Sequence, residues 1–331
     1  MDKLGLIILA GGLSTRMGQP KALLSWVGGE SLISHALRKG LDADVHDILI
    51  SIGDDEQLGH AIQTHIIDTL SNDEQEKVSI VRDSIERCGP LGGLYSTLAV
   101  GPSPAYAVMA VDMPFMEMDL YFDWLYQVDY NDWNAIIPYG DSDKAEPMAG
   151  IYRTHIASLI QSVLVGEDMS LHHALDVIGH VEHVDASDYT WELSNINRFE
   201  DYQWARALAE NEFRRVPLIS VVASKRKTGK TTVVTRLVSE LQRVGLSVGV
   251  VKSDKHGFHM DHEGTDTDLA YKAGADAVAI AGPIETAIRI RTKEQSNLYD
   301  LTQHMPVDIV ILETRSQGIA PIIEVTKEGH T

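Results

Sequence analysis

The sequence predicts an α/β protein made of two domains in series, and three observations predict it. Short apolar runs alternate with helix-period stretches along most of the chain. A loop rich in glycine and basic residues follows an apolar run twice, after Leu9 and after Val222. The alternation breaks and restarts at Arg214-Arg215-Val216-Pro217. Strands that alternate with helices form a parallel sheet covered on both faces. At 331 residues, two domains is the default count. The boundary falls near residue 215, giving domains 1–215 and 216–331.

Taken in order, the buried strands of the first domain are Leu6-Ile7-Ile8-Leu9, Ile48-Leu49-Ile50, Val78-Ser79-Ile80-Val81 and Ala107-Val108-Met109-Ala110-Val111. Leu32, Ile33, Ala36 and Leu37 mark a helix between the first two, because their spacing puts them on one face. Ala135-Ile136-Ile137 and Met148-Ala149-Gly150-Ile151-Tyr152 read as later strands. A helix over about 199–213 has Asn197 as its cap and Phe199, Tyr202 and Ala205 on one face. In the second domain, strands are read at 218–222, 248–251, 277–280 and 309–312. Val233, Val234, Leu237, Val238 and Leu241 give the first helix an inward face.

Composition bounds the function. Hydrophobic residues make up 44% and charged residues 23%, ordinary values for a chain with a packed core. The one cysteine, Cys88, excludes an internal disulfide framework and fits a reducing, cytoplasmic setting. The run LGLIILAGG is too short and too poor in basic flanks for a signal segment, and it reads as a buried strand. No apolar run is long enough to span a membrane. The net charge of -20 is uneven: residues 1–215 hold 14 Lys and Arg against 34 Asp and Glu, and the remainder holds 14 against 14. So acidic a first domain, with no basic stripe, excludes nucleic acid and anionic lipid as partners. An anionic ligand there needs a few placed cations, oriented amides and a metal ion.

Four motifs of the first domain supply such groups. In Leu9-Ala10-Gly11-Gly12-Leu13-Ser14-Thr15-Arg16-Met17-Gly18-Gln19-Pro20-Lys21, the glycine pair permits close backbone approach and offers N–H groups, while Arg16 and Lys21 add positive charge. A loop at the carboxyl end of a parallel strand is where open α/β sheets bind ligands. In Val111-Asp112-Met113-Pro114, a carboxylate ends a hydrophobic strand and is a natural Mg²⁺ ligand; a turn aspartate is the plainer alternative. Gly89-Pro90-Leu91-Gly92-Gly93 reads as a tight turn passing close to a sugar or base. In Asn195-Ile196-Asn197, alternation puts both amides on one side.

Together these motifs, with the EPMAGIY segment, resemble the molybdenum cofactor guanylyltransferases over essentially all of residues 1–215. The resemblance implies a Rossmann-like nucleotidyltransferase fold. The implied reaction is transfer of GMP from GTP to Mo-molybdopterin, releasing pyrophosphate. The family's phosphate loop falls on Leu9, Ala10, Gly11, Gly12 and Lys21. Its nucleotide-contacting aspartate falls on Asp83, its magnesium aspartate on Asp112, and Asn197 assists at the metal. A base-contacting asparagine of the family falls on Ser51, and Gly93 lines the nucleotide. Pro20-Lys21 replaces the common Asp-Lys and matches the related cytidylyltransferases, so a CTP-dependent enzyme is the nearest alternative. The nucleophile, a terminal phosphate, is already ionised, so catalysis reduces to positioning and charge neutralisation. Asp112 with Mg²⁺ acts at the α-phosphate, and Arg16 and Lys21 act on the leaving pyrophosphate.

In the second domain, Ser224-Lys225-Arg226-Lys227-Thr228-Gly229-Lys230-Thr231 lies between a strand and a helix. It is a P-loop whose first glycine is serine. Lys230 is placed to contact β- and γ-phosphates and Thr231 to hold Mg²⁺, with Thr232 following. Glu313, at the end of an apolar strand, is the distal acidic partner. His256, His259, His262 and Asp261 read as a solvated polar loop rather than a metal site, because Gly257 interrupts any helix that would align them. From about residue 217 onward the chain resembles the adaptor protein of the same guanine dinucleotide pathway, a P-loop NTPase-like α/β domain that binds GTP. The resemblance implies molybdoenzyme apoproteins or their chaperones as later partners. A sugar-phosphate nucleotidyltransferase and a non-catalytic scaffold are the competing classes.

Overall fold

The computed structural model describes residues 3–11, 20–85, 88–128, 132–140, 144–166, 168–223, 228–252, 262–292, 298–314 and 321–326. The chain divides into two compact units, Met1–Tyr202 and Gln203–Thr331.

The first unit opens with β1 (Leu4–Leu9), α1 (Leu32–Asp42), β2 (Ile48–Ser51), α2 (Glu56–His65), α3 (Asn72–Lys77) and β3 (Val78–Val81). It continues through α4 (Gly89–Leu98), β4 (Ala105–Ala110), α5 (Met118–Gln127), β5 (Ala135–Tyr139), β6 (Ile151–Arg153), α6 (Ala157–Leu164), α7 (Leu171–Ile178) and β7 (Val181–Asp185). Helix α8 (Phe199–Glu212) follows. The sheet order is β3-β2-β1-β4-β6-β5-β7. Strands β1 and β4 are buried at every position, as expected of central strands covered on both faces.

The sheet is mixed rather than parallel throughout: β6 runs antiparallel to both β4 and β5. The expected strand over 148–152 is also shorter. Pro147–Ala149 form a 3₁₀ turn and β6 begins at Ile151. Pro147 lacks the N–H a ladder requires, so the strand starts beyond it. The segment read as a tight turn, Gly89 to Gly93, is instead the first turn of α4. Gly89 takes a left-handed φ of 56° and Pro90 sits at the start of the helix, where its missing N–H costs nothing. Helix α8 is not capped by the Asn197 side chain. The Asp201 carboxylate closes its first turn, accepting the backbone N–H groups of Asn197 (3.1 Å) and Arg198 (2.8 Å).

At the amino end of the sheet, Asp47 is buried and accepts the Tyr106 hydroxyl at 2.5 Å and the Ser103 hydroxyl. Gly5 and Gly101 face the Tyr106 ring, where any Cβ would stand within 2.6 Å of it. This buried network closes the end of the sheet opposite the loops that carry the chemistry.

The second unit contains β8 (Leu218–Val222), α9 (Lys230–Arg243), β9 (Val248–Lys252), α10 (Asp266–Lys272), β10 (Ala277–Ala281), β11 (Thr286–Ile290), α11 (Leu298–Gln303), β12 (Ile309–Thr314) and β13 (Ile322–Glu324). A parallel sheet runs β13-β8-β12-β9. Val221, Val234 and Ile311 form the core under α9, and Val216, Leu218, Val310 and Leu312 form the core on the other face. Among the described residues, the predicted strand at 277–280 stands outside this sheet: β10 pairs with β11, antiparallel. No described helix is long and apolar enough to cross a membrane.

Candidate active site

The predicted residues of the first unit converge because strand register brings the strand ends level. Leu9 pairs with Ser51 on one side and Ala110 on the other, and Ser51 pairs with Val81. Ala10, Gly11, Ser51, Asp83 and Asp112 therefore emerge at one edge of the sheet, the carboxyl end, where open α/β sheets bind ligands.

Backbone bonds tie these ends together. The N–H groups of Ala10 and Gly11 both donate to the Ser51 carbonyl, at 2.8 and 2.9 Å, so neither is presented to a ligand. Gly11 is required by packing: a Cβ there would stand 2.5 Å from the Gly53 nitrogen. Gly12 and Arg16 lie outside the described residues.

Asp83 and Ser51 form one subsite. The Ser51 hydroxyl donates to Asp83 Oδ1 at 3.1 Å. Gly93, on α4, packs over Ser51; a Cβ on it would come within 2.5 Å of Ser51 Oγ. Gly92 similarly leaves room for Asp83 Oδ2, at 3.3 Å from its would-be Cβ. Burial raises the Asp83 carboxyl above the ordinary aspartate value; the Ser51 hydrogen bond opposes this and the Asp54 charge adds to it.

Asp112 and Lys21 form the second subsite. Lys21 Nζ donates to Asp112 Oδ2 at 2.7 Å. Asp112 Oδ1 is buried without a hydrogen-bond partner. Such an oxygen carries a desolvation cost of about 1–3 kcal/mol unless something satisfies it. The 195–197 strip lies alongside, because the Ile196 N–H donates to the Asp112 carbonyl at 2.8 Å. Ile196 is buried and Asn197 is exposed.

Two residues not singled out from the sequence hold the loop after Asp112. Lys39 donates to the carbonyls of Pro114 and Met116, both at 2.7 Å, and pairs with Glu117 at 2.7 Å. His35 Nε2 lies 3.1 Å from the Pro114 carbonyl and must carry the hydrogen there. Burial, followed by the Lys39 charge, lowers the His35 pKa. The available signal was position: His35 and Lys39 are spaced i, i+4 along the flank of the apolar stripe of α1, a place for side chains aimed at a neighbouring loop.

In the second unit, Lys230 and Thr231 open α9 behind Gly229, whose φ of 98° favours glycine. Lys230 Nζ donates to the Thr314 carbonyl at 3.0 Å, and Thr231 and Thr232 are exposed. Glu313 lies two residues beyond Ile311, which packs under α9, so the two share a face and Glu313 emerges on the α9 side of β12. In register it sits beside Lys252 of β9. Ser224 to Lys227, His256, His259 and Asp261 lie outside the described residues.

Residues 6–182 match the family model described as the MobA-like NTP transferase domain. The chain belongs to this family. Within this MobA-like chain, residues 218–331 match a second family model, molybdopterin guanine dinucleotide synthesis protein B. The MobA-like part is 27% identical over 215 residues to a probable molybdenum cofactor guanylyltransferase of Bacillus cereus (strain G9842). That match covers 64% of this chain and 100% of the relative. A protein of the same description from Bacillus thuringiensis (strain Al Hakam) is 28% identical over 217 residues, with the same coverage. The crystal structure of molybdopterin-guanine dinucleotide biosynthesis protein A from Archaeoglobus fulgidus superposes with a TM-score of 0.50. At 19% identity it covers 61% of this chain and 96% of that one, which shows the shared fold.

Proposed function

We propose that the first unit transfers GMP from GTP to the terminal phosphate of Mo-molybdopterin, forming the guanine dinucleotide cofactor and pyrophosphate, and that the second binds GTP as an accessory domain. One observation carries this reading: a MobA-like domain and a synthesis protein B domain occur in one chain. A sugar-phosphate nucleotidyltransferase has no use for the second.

A Mg²⁺ ion fits Asp112. The carboxylate is a hard oxygen donor, and its Oδ1 is buried with no partner. Among the described residues no three His, Cys, Asp or Glu side chains gather as a metal cage. Mg²⁺ is usually held by one or two carboxylates plus substrate phosphates, a part that one aspartate at the strand ends can play. Asp112 would hold the ion, with Asn197 assisting, and the ion would supply neutralisation of charge on the α-phosphate.

The chain's own side chains do the rest. Lys21 stands at the strand ends with its ammonium toward Asp112, which supports its taking charge from the leaving pyrophosphate; the same role falls to Arg16 from the sequence motif alone. Asp83, held by Ser51, accepts hydrogen bonds from the nucleotide. Lys39 and His35 fix the loop that carries Asp112. No general base is required, because the attacking phosphate is ionised near neutral pH. In the second unit, Lys230 would meet the phosphates and Thr231, with Glu313, would hold their Mg²⁺. The soluble partners are then GTP and molybdopterin, with apoenzymes or their chaperones receiving the product.

The test is incubation of the full-length protein with Mo-molybdopterin, Mg²⁺ and either GTP or CTP, with mass detection of the dinucleotide. A guanine product is expected. A cytosine product alone moves the chain to the cytidylyltransferases, and no product with either nucleotide overturns the reaction class.

A further inference from the structure

We propose that Lys21 is an internal stand-in for the divalent cation at Asp112. It neutralises the carboxylate before ligands bind and competes with a free metal ion. It gives Asp112 up only when nucleotide phosphates offer its ammonium another anion. This rests on Asp112 being the cation ligand, and it adds the order in which the site is charged.

The geometry supplies both halves of the exchange. Lys21 Nζ stands 2.7 Å from Asp112 Oδ2, and the two side chains are only 20% and 18% exposed. The other oxygen, Oδ1, is buried and unpartnered. The carboxylate is thus half satisfied, and the satisfied half is held by a protein cation 91 positions away in sequence. Lys21 is not a loose surface side chain that happens to reach. It starts a 3₁₀ turn, Lys21–Leu23, in which Ala22 is buried and the Lys21 carbonyl accepts the Leu24 N–H at 3.0 Å.

Two cations on one carboxylate repel each other, so the lysine lowers metal affinity for as long as it remains there. A triphosphate arriving at the strand ends attracts the same ammonium more strongly, since it carries several charges. Lys21 then leaves Oδ2, and the metal gains a full carboxylate. Linkage makes the effect reciprocal: nucleotide raises metal affinity, and metal raises nucleotide affinity, by the same factor. The site therefore fills with metal and nucleotide together, and free metal ion alone leaves it largely unfilled.

The experiment is a Mn²⁺ titration of the full-length protein without nucleotide, read by the electron paramagnetic resonance signal of free Mn²⁺. Asp112→Asn gives the baseline from sites elsewhere in the chain. Above that baseline the wild type should bind Mn²⁺ weakly, and Lys21→Met should bind about tenfold tighter, a factor within the usual range for linked sites. Lys21→Arg, which keeps a cation in place, should stay near the wild type. Thermal melting gives a second reading that does not depend on the variant being as stable as the wild type. Mn²⁺ should raise the melting temperature of Lys21→Met more than that of the wild type at equal concentration, because ligands stabilise the state they bind. The proposal is overturned if Lys21→Met binds Mn²⁺ no tighter than the wild type while Asp112→Asn still removes binding. If Asp112→Asn binds as the wild type does, with and without a non-hydrolysable GTP analogue, the reading of Asp112 as the cation ligand fails, and the proposal with it.

Discussion

At the scale of single residues, the site rests on two carboxylates in different surroundings. Asp112 meets a cation at one oxygen and nothing at the other, while Asp83 meets a hydroxyl and partial burial. Asp112→Asn keeps the size and removes the charge. Turnover should fall on the order of 10²-fold or more, as for loss of a preorganised electrostatic group at a reacting centre. Near-normal turnover in a dinucleotide-forming assay would remove Asp112 from the mechanism. Asp83 predicts a pH effect. Its native pKa is raised, so the native state holds this proton more tightly than the unfolded chain does. The stability it contributes is present below the unfolded value and lost as pH rises through the native one. Binding runs the opposite way, because only the ionised carboxylate accepts hydrogen bonds without a proton of its own in the way. Below neutrality, kcat/KM for GTP should fall as pH drops through the raised native pKa. Asp83→Asn should lower kcat/KM and flatten that limb; an unchanged acid limb in this variant would assign it to another group. Asp112 was legible from the sequence because it ends an apolar strand, whereas Asp83 was reached only through the family resemblance. Their partners were not legible: the Lys21–Asp112 pair joins residues 91 positions apart, and only the register of β1 against β4 makes them neighbours.

At the scale of elements, the glycines of α4 link fold to site. Gly93 has so little room that an added Cβ would stand 2.5 Å from Ser51 Oγ and 3.2 Å from Leu9 Cδ2. Gly93→Ala should therefore destabilise the first unit by about 1–3 kcal/mol, as overpacking of a core contact does. It should also raise KM for GTP by pushing Ser51 away from Asp83. Urea unfolding of residues 1–215 is the measurement, and an unchanged midpoint would show that α4 can step back from β2 without cost. This packing also explains why Gly89 to Gly93 looked like a turn. Glycine disfavours a helix; Gly92 and Gly93 are there because Cys88, Asp83, Ser51 and Leu9 crowd them, and Gly89 because of its left-handed φ. The central strands were plain in the sequence because both faces are apolar. Strand β7, Val-Glu-His-Val-Asp, was not, since only Val184 is fully buried, Val181 is half-buried, and the other three residues of this edge strand are polar and exposed. The reversal of β6 has no local signature either; direction is set by where the chain re-enters the sheet.

At the scale of the whole molecule, the last prediction is that the two nucleotide sites can be separated. Residues 1–215 hold the entire acidic excess, 34 acidic against 14 basic, and the remainder is balanced. Each part has its own sheet, and each sheet its own loop and basic residue: Lys21 in one, Lys230 in the other. The structural division after Tyr202 runs through α8, and that sets where a cut can be made. Ending a fragment at residue 215 keeps α8 whole, including the Tyr202 hydroxyl bond to the Ser25 carbonyl. It also takes from the second unit Asn211 Oδ1, which accepts the Leu218 N–H at 2.8 Å, and Arg214, which donates to Thr302. Residues 1–215 should therefore fold and transfer GMP alone. A fragment starting at Phe199 should melt higher than one starting at Val216, because only the longer one keeps those bonds. In the full chain, Lys230→Ala should abolish GTP binding by the second unit and leave basal transfer intact, since Lys230 donates to the Thr314 carbonyl within its own unit. The measurements are melting of each fragment, GTP titration of each, and transfer assays of the first fragment and of the variant. A folded but inert first fragment, together with loss of basal transfer in Lys230→Ala, would mean that the two sites work as one.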